Sequence, residues 1–231
     1  MDHLKDEIVF EKEIYPMLPF SIQSLLEKAP KQVFPYIEEI RLRQARPIMI
    51  AVNNQDLMFA SGRWTTEYSN PYIVTREEMS KTFQLICQGS VYALEEELRN
   101  GYLTLPGGHR VGMVGKAVLE EGKLRTLKNI SGFNIRIARA IPGAADKVLP
   151  YLIDKDGGIY STLIISPPKA GKTTLLRDMI RQLSSGVQSL KGYKIGLVDE
   201  RSEIACCYGG IPQNDVGFRT DVLDGCPKAQ G

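Results

Sequence analysis

The stretch Ser161 to Thr174, S-T-L-I-I-S-P-P-K-A-G-K-T-T, limits the folds open to this chain more than any other. Thr162, Leu163, Ile164 and Ile165 make a short apolar, largely β-branched run bounded by turn formers, which predicts a buried parallel strand. Pro167, Pro168 and Gly171 then turn the chain. Leu175, Leu176, Met179, Ile180 and Leu183 follow at helical spacing, so a helix is expected to begin near Lys172. Strand, loop and helix in that order are the setting of a Walker A loop, in which unpaired N–H groups and the positive end of the helix dipole face anionic phosphates. On this reading the phosphate cradle comprises Ser166, Pro167, Pro168, Lys169, Ala170, Gly171, Lys172, Thr173 and Thr174. Lys172 would reach the β- and γ-phosphates of ATP, and the Thr173 hydroxyl would hold a magnesium ion, Mg2+. Ser166 stands where the usual G-x-x-x-x-G-K-[ST] pattern has its first glycine, a change that is tolerable if only a small side chain is needed and costly if φ must be positive. The bland alternative is a Gly-Lys-Thr turn that merely opens a surface helix.

A second buried-looking strand, Tyr193 to Val198, ends in Asp199-Glu200-Arg201 and is expected to lie beside the Walker A strand. Ligands of open α/β sheets bind at the carboxyl ends of strands, so Asp199 and Glu200 are candidates to hold magnesium or to polarise the attacking water. The competing reading is an acidic turn paired with Arg201. Between the two strands, Ser184-Ser185-Gly186 ends the helix; ahead of them, Ile141-Pro142-Gly143 marks a domain boundary and Ala144 to Ile153 reads as a helix interrupted by Pro150.

The first part of the chain, up to about residue 140, reads as α+β, with strands and helices that do not alternate regularly. Residues 1 to 35 read as short helices broken by Pro16, Pro19, Pro30 and Pro35. Ile40 and Leu42 alternate with Glu39, Arg41 and Arg43, which predicts a strand, and Asn53-Asn54-Gln55-Asp56 predicts a hairpin turn. Thr75-Arg76-Glu77-Glu78 is a capping box that opens a helix at residue 76, and a further helix is expected after Ser90. Tyr102 to Leu105, Val111 to Leu119 and Ile135 to Ala138 read as sheet segments. Arg41, Arg43 and Arg46 stud one strand and its exit, and Arg110 follows Pro106-Gly107-Gly108-His109. Either these are solvated surface charges or they are cations aimed at phosphates held by this or a neighbouring subunit.

With 29 Lys plus Arg against 27 Asp plus Glu, no overall field favours nucleic acid or an acidic membrane, and no segment reads as a signal peptide or a membrane span. The chain is therefore expected to be cytosolic. Its four cysteines, Cys87, Cys206, Cys207 and Cys226, show neither metal spacing nor a disulfide framework and are expected to be reduced.

Taken together, E-I-R-L-R-Q-A-R-P at 39 to 47, G-Y-L-T-L-P-G-G-H-R-V-G at 101 to 112, N-I-R-I-A-R at 134 to 139, P-P-K-A-G-K-T-T, V-D-E-R-S-E-I-A at 198 to 205 and R-T-D-V-L-D-G-C-P-K at 219 to 228 resemble the stage III sporulation protein AA family over nearly the whole chain. The resemblance implies an α/β P-loop NTPase (RecA-like) domain over residues 141–231, preceded by a smaller α+β domain over residues 1–140. It implies a cytosolic ATPase related to the motors of type II and type IV secretion, acting on the mother-cell side of the channel to the forespore. Asp199 and Glu200 then fall at the acidic box of those motors. A ring, a hexamer, and membrane-protein partners of the same complex come from the resemblance as well. Family members continue to a Walker B strand that these residues do not supply, so the nucleotide domain is expected to be incomplete at its C-terminus and to hydrolyse ATP slowly. The competing functions are a nucleotide-dependent nucleic-acid binder, which the lack of aromatic residues among Arg41 to Arg46 disfavours, and a catalytically weak ring-assembly subunit.

Overall fold

Asn53 and Asn54 both adopt left-handed backbone, with φ of 48° and 63°, and close the two-residue turn between β2 (Met49–Val52) and β3 (Gln55–Ala60). Asparagine tolerates that conformation better than most side chains, so the turn takes only the first two of the four residues expected, and Gln55 and Asp56 already belong to the strand. Around this hairpin a seven-stranded antiparallel sheet assembles in the order β4-β3-β2-β1-β7-β6-β5. Its other members are β1 (Ile37–Arg43), β4 (Arg63–Thr65), β5 (Tyr102–Thr104), β6 (Arg110–Glu120) and β7 (Lys123–Arg136). The computed structural model describes residues 9–87, 102–120, 122–168, 170–186 and 191–230, and these fall into two compact units, Met1–Ala138 and Arg139–Gly231.

In the first unit the period-two pattern puts Ile40, Leu42, Ile50, Val111, Phe133 and Ile135 on one face of the sheet. Phe10, Ile14, Leu18 and the buried side of α1 (Phe20–Leu26) pack on that face. Each fully buried side chain of this size contributes roughly 1.5–3 kcal/mol. The proline-broken N-terminus supplies them as a π-helical turn (Phe10–Ile14), a 3-10 turn (Tyr15–Met17) and α1. The helix α2 (Arg76–Ile86) carries the expected capping box: Glu78 N–H donates to Thr75 Oγ1 at 3.1 Å and Thr75 N–H donates to Glu78 Oε2 at 2.9 Å. The helix expected after Ser90 lies outside the described residues. β7 begins at Lys123, twelve residues ahead of the segment expected at Ile135, because it pairs with β6 through register shifts that blur its alternation.

The second unit is built on α3 (Lys172–Ser185), whose Met179 and Leu183 pack with Ala145, Leu149 and Leu152 while Ile180 packs with Leu197, Ala205 and Val216. Its strands are β8 (Ile195–Asp199), β9 (Cys207–Tyr208), β10 (Ile211–Pro212) and β11 (Thr220–Asp224). Three expectations are corrected here. Residues 161–167 form no strand, and Leu163 and Ile165 are each 82% exposed; only Ile164 turns inward, against the cluster around Leu149. Among the described residues the neighbour of β8 is β11, in a parallel register from Thr220↔Ile195 to Asp224↔Asp199, and not the segment from Thr162 to Ile165. Residues 144–153 are turns and a 3-10 turn (Leu149–Tyr151) rather than an α-helix. Pro150 has no N–H to donate, and the bonds from Asp146 to Gly143, Val148 to Ala145 and Leu152 to Leu149 span three residues, alongside a four-residue bond from Leu149 N–H to Ala145 C=O at 3.0 Å.

Candidate functional site

Gly171 has φ of 84°, the left-handed conformation that glycine adopts without a Cβ penalty, and it caps the start of α3. Among the described residues, its chain neighbours aside, no atom lies within 4 Å of the place a Cβ would take. The first bond onto this residue is Leu175 N–H to Gly171 C=O at 2.9 Å, and no side chain caps the helix. The N–H groups of Lys172, Thr173 and Thr174 therefore stand at the positive end of a 14-residue helix. Lys172 is exposed and Thr173 and Thr174 are half-buried. Ser166 is not among the residues with positive φ, so serine is unstrained at the first position of the loop; its hydroxyl donates to Pro167 C=O at 3.1 Å. Pro167, Pro168 and Ala170 are exposed, and Ala170 N–H donates to Pro167 C=O at 3.4 Å. Lys169 lies outside the described residues.

Asp199 ends β8 with its carboxylate turned into its own loop. Oδ1 accepts from Glu203 N–H at 2.9 Å, and Oδ2 accepts from the N–H groups of Ile204 and Ala205 at 2.8 and 2.9 Å. The residue is 4% exposed. Glu200, next in the chain, is exposed and lies 3.8 Å from Lys228 Nζ. Adjacent acids thus have opposite environments, one bonded to three amides and one presented to solvent.

Two residues of α3 that the sequence reading passed over hold the surroundings together. Arg177 donates to the carbonyls of Ile204 (Nε, 2.9 Å), Glu203 (Nη2, 2.8 Å) and Arg139 (Nη1, 3.4 Å). Asp178, 4% exposed, accepts from Ala145 N–H at 2.9 Å, from Gln182 and from both Nε and Nη2 of Arg181. Burial pushes the Asp178 carboxyl upward, but these donors outweigh it and hold it below its ordinary range. The available signal was position: Arg177 follows Thr173 by four residues and so lies one turn behind it on the same helix face.

The remaining candidate, Arg110, belongs to the first unit, with its guanidinium 4.6 Å from the centre of the Tyr102 ring. On the sheet face opposite the core, β7 brings Arg136 opposite both Glu39 and Arg110, and Asn134 opposite both Arg41 and Gly112. Arg41 is bonded to Glu39 and lies 3.5 Å from Asp56, and Arg43 Nη2 donates to Asn134 Oδ1 at 3.1 Å. The hydrogen bond to Glu39 is the main reason the Arg41 pKa is raised. His109, by contrast, is a packing residue: it is 1% exposed, Nδ1 accepts from Ala138 N–H at 3.0 Å, and Nε2 lies 2.8 Å from Glu13 Oε2. With Nδ1 accepting, the network assigns the proton to Nε2, which donates to Glu13.

The four cysteines form no disulfide with one another, no described helix is long and apolar enough to cross a membrane, and among the described residues no cluster of His, Cys, Asp and Glu is arranged to hold a metal.

Comparison with known proteins bears on this arrangement. Residues 10–231 match the family model "Sporulation stage III, protein AA". The stage III sporulation protein AA of Bacillus subtilis (strain 168) is 44% identical over 219 residues, which are 95% of this chain and 67% of that protein. The uncharacterized protein ycf45 of Cyanidium caldarium is 26% identical over 200 residues, 85% of this chain and 49% of that protein. Among solved structures, the Legionella pneumophila ATPase DotB aligns with a TM-score of 0.46 and 15% identity, covering 90% of this chain and 52% of that one. The pilus retraction motor PilT with bound ADP aligns with a TM-score of 0.42 and 13% identity, covering 88% and 50%. The family match spans both the arginine-bearing sheet and the lysine-bearing helix start, and the chain belongs to the stage III sporulation protein AA family.

Proposed function

We propose that this chain binds ATP and magnesium at Ser166 to Thr174 and serves as the nucleotide-binding part of an ATPase that powers or assembles the mother-cell to forespore channel during endospore formation. The observation that carries the reading is Gly171: its left-handed backbone leaves Lys172 and three N–H groups at the positive end of α3. Lys172 neutralises the terminal phosphates and the Thr173 hydroxyl holds the metal. Magnesium, when bound, neutralises charge developing on the phosphoryl oxygens.

Glu200 is the acid this reading assigns to orienting the attacking water, because it is the member of the Asp199-Glu200 pair that faces solvent. Asp199 acts through the loop that it organises, and any share it takes in the metal comes after those three amides. Arg110 is assigned to a nucleotide held by an adjacent subunit. A hexameric ring, membrane-protein partners from the sporulation channel and a place in the mother-cell cytoplasm, peripheral to a membrane complex, are carried from the family resemblance. The chain spans about two thirds of the Bacillus relative and about half of the more distant one. The test is steady-state phosphate release by the full-length protein. Lys172→Ala abolishes it, Glu200→Gln lowers turnover with little change in nucleotide affinity, and Arg110→Ala lowers it only in the assembled ring. Unchanged turnover in Lys172→Ala refutes the assignment.

A further inference from the structure

The loop from Asp199 to Cys206 is held from two sides. Its N–H groups at 203, 204 and 205 enter the Asp199 carboxylate, and its carbonyls at 203 and 204 enter the Arg177 guanidinium. Asn214 Nδ2 donates to Ile204 C=O at 2.8 Å, and the N–H groups of Gln213 and Asn214 donate to Ala205 C=O at 3.1 and 3.0 Å. Ser202 and Cys206 bracket the clamped residues with left-handed backbone at φ of 50° each. Peptide planes fixed at both edges leave this loop little freedom, and Glu200 at its start inherits its position.

The anchor on the other side is α3, the helix that the proposed phosphate loop opens. Arg177 lies five residues after Lys172, about 7.5 Å along the helix axis, and shares a face with Thr173. Its third bond goes to the carbonyl of Arg139, where the second unit begins. The three carbonyls are met by three different nitrogens of one planar fork, Nε, Nη1 and Nη2; a lysine ammonium also has three N–H donors, but all leave a single nitrogen and cannot span the same spread of acceptors.

We propose that Arg177 is a positioning residue: it sets Glu200 in register with Thr173 and ties both to the main chain at Arg139, so that nucleotide at the helix start is felt at the beginning of the unit. The proposal rests on the nucleotide reading above for its catalytic consequence, while the clamp itself can be measured without nucleotide.

The experiment compares the parent, Arg177→Ala and Arg177→Lys in the intact protein. Hydrogen exchange without nucleotide reads the clamp: in both variants the amides of Glu203, Ile204 and Ala205 exchange faster while those in the middle of α3 do not change. Phosphate release against ATP concentration reads the consequence: kcat falls by about 100-fold, the scale of a misplaced catalytic group, with KM and nucleotide affinity within about twofold of the parent. Lysine does not restore kcat although it restores the charge. Unchanged exchange at residues 203–205 overturns the clamp, and full rescue by lysine or a fall in affinity matching the fall in turnover overturns positioning. If the parent itself fails to bind ATP, the nucleotide reading and the catalytic role proposed here both fall, and the exchange data then decide the structural clamp alone.

Discussion

Replacing Asp199 by alanine tests whether its carboxylate builds the loop after β8 or holds a metal. The carboxylate accepts three backbone N–H bonds at 2.8 to 2.9 Å. Ala205 is fully buried, so its N–H is left without water, at a cost of about 1–3 kcal/mol. Glu203 and Ile204 are half-buried and recover part of their loss from solvent. The sum is about 3 kcal/mol against the second unit, which in hydrogen exchange is about a 100-fold loss of protection at these three amides. Asp199→Asn keeps one oxygen for Ile204 and Ala205 and turns an NH2 toward Glu203 N–H, so it costs less, about 1–2 kcal/mol. Glu200→Gln leaves the same amides as protected as in the parent. If Asp199→Ala keeps their protection and loses only magnesium-dependent nucleotide binding, Asp199 is a metal ligand and the reasoning from its hydrogen bonds is refuted.

Three further outcomes follow from the packing. Gly107 has φ of 80°, and a Cβ there would meet Glu13 Oε2 at 2.0 Å, so Gly107→Ala costs about 1–3 kcal/mol in backbone strain plus the displaced Glu13–His109 contact. Thermal melting that is unchanged contradicts this, and removing Glu13 as well should recover the steric part alone. Burial pushes the Glu78 carboxyl upward, but donors from Ser21, Thr75 and Tyr72 outweigh it and hold it below its ordinary 4.5; the stability it contributes is complete above that value and is lost as pH falls through its lowered one. Urea midpoints at pH 6 and pH 3 should therefore differ less in Glu78→Gln than in the parent. The Cys207 thiol is pushed up to about 11 by burial and then by Asp224 and Asp199, so iodoacetamide at pH 8 modifies it much more slowly in the folded chain than in the urea-unfolded chain, and labelling at equal rates contradicts that.

Features closed within a few residues were legible in the sequence. Thr75 and Glu78 specify a helix start by their own hydrogen bonds, the hairpin turn falls within Asn53 to Asp56 though it takes only the first two of those residues, and Gly171-Lys172-Thr173 marks the start of α3. Features that depend on a distant partner were not. Thr162 to Ile165 has a strand's composition, yet a strand exists only where another backbone pairs with it, and β8 pairs with β11. The early start of β7 was hidden because pairing through bulges breaks the alternation that marks a strand. Asp199 and Glu200 looked equivalent as letters; only the loop that folds back at residues 203–205 distinguishes them. Arg177 could be placed on the Thr173 face of the helix by its spacing, but its partners could not be named, since they are carbonyls, which every residue carries.

The central claim is that Gly171, Lys172 and Thr173 receive a nucleoside triphosphate, and isothermal titration of the folded chain with magnesium and ATP tests it most directly. The account predicts saturable binding at one site per chain that requires magnesium and is abolished or strongly weakened in Lys172→Ala, with the variant melting at the parent's temperature because an exposed lysine at a helix start takes no part in packing. Equal binding by parent and Lys172→Ala, or none by the parent, would contradict it.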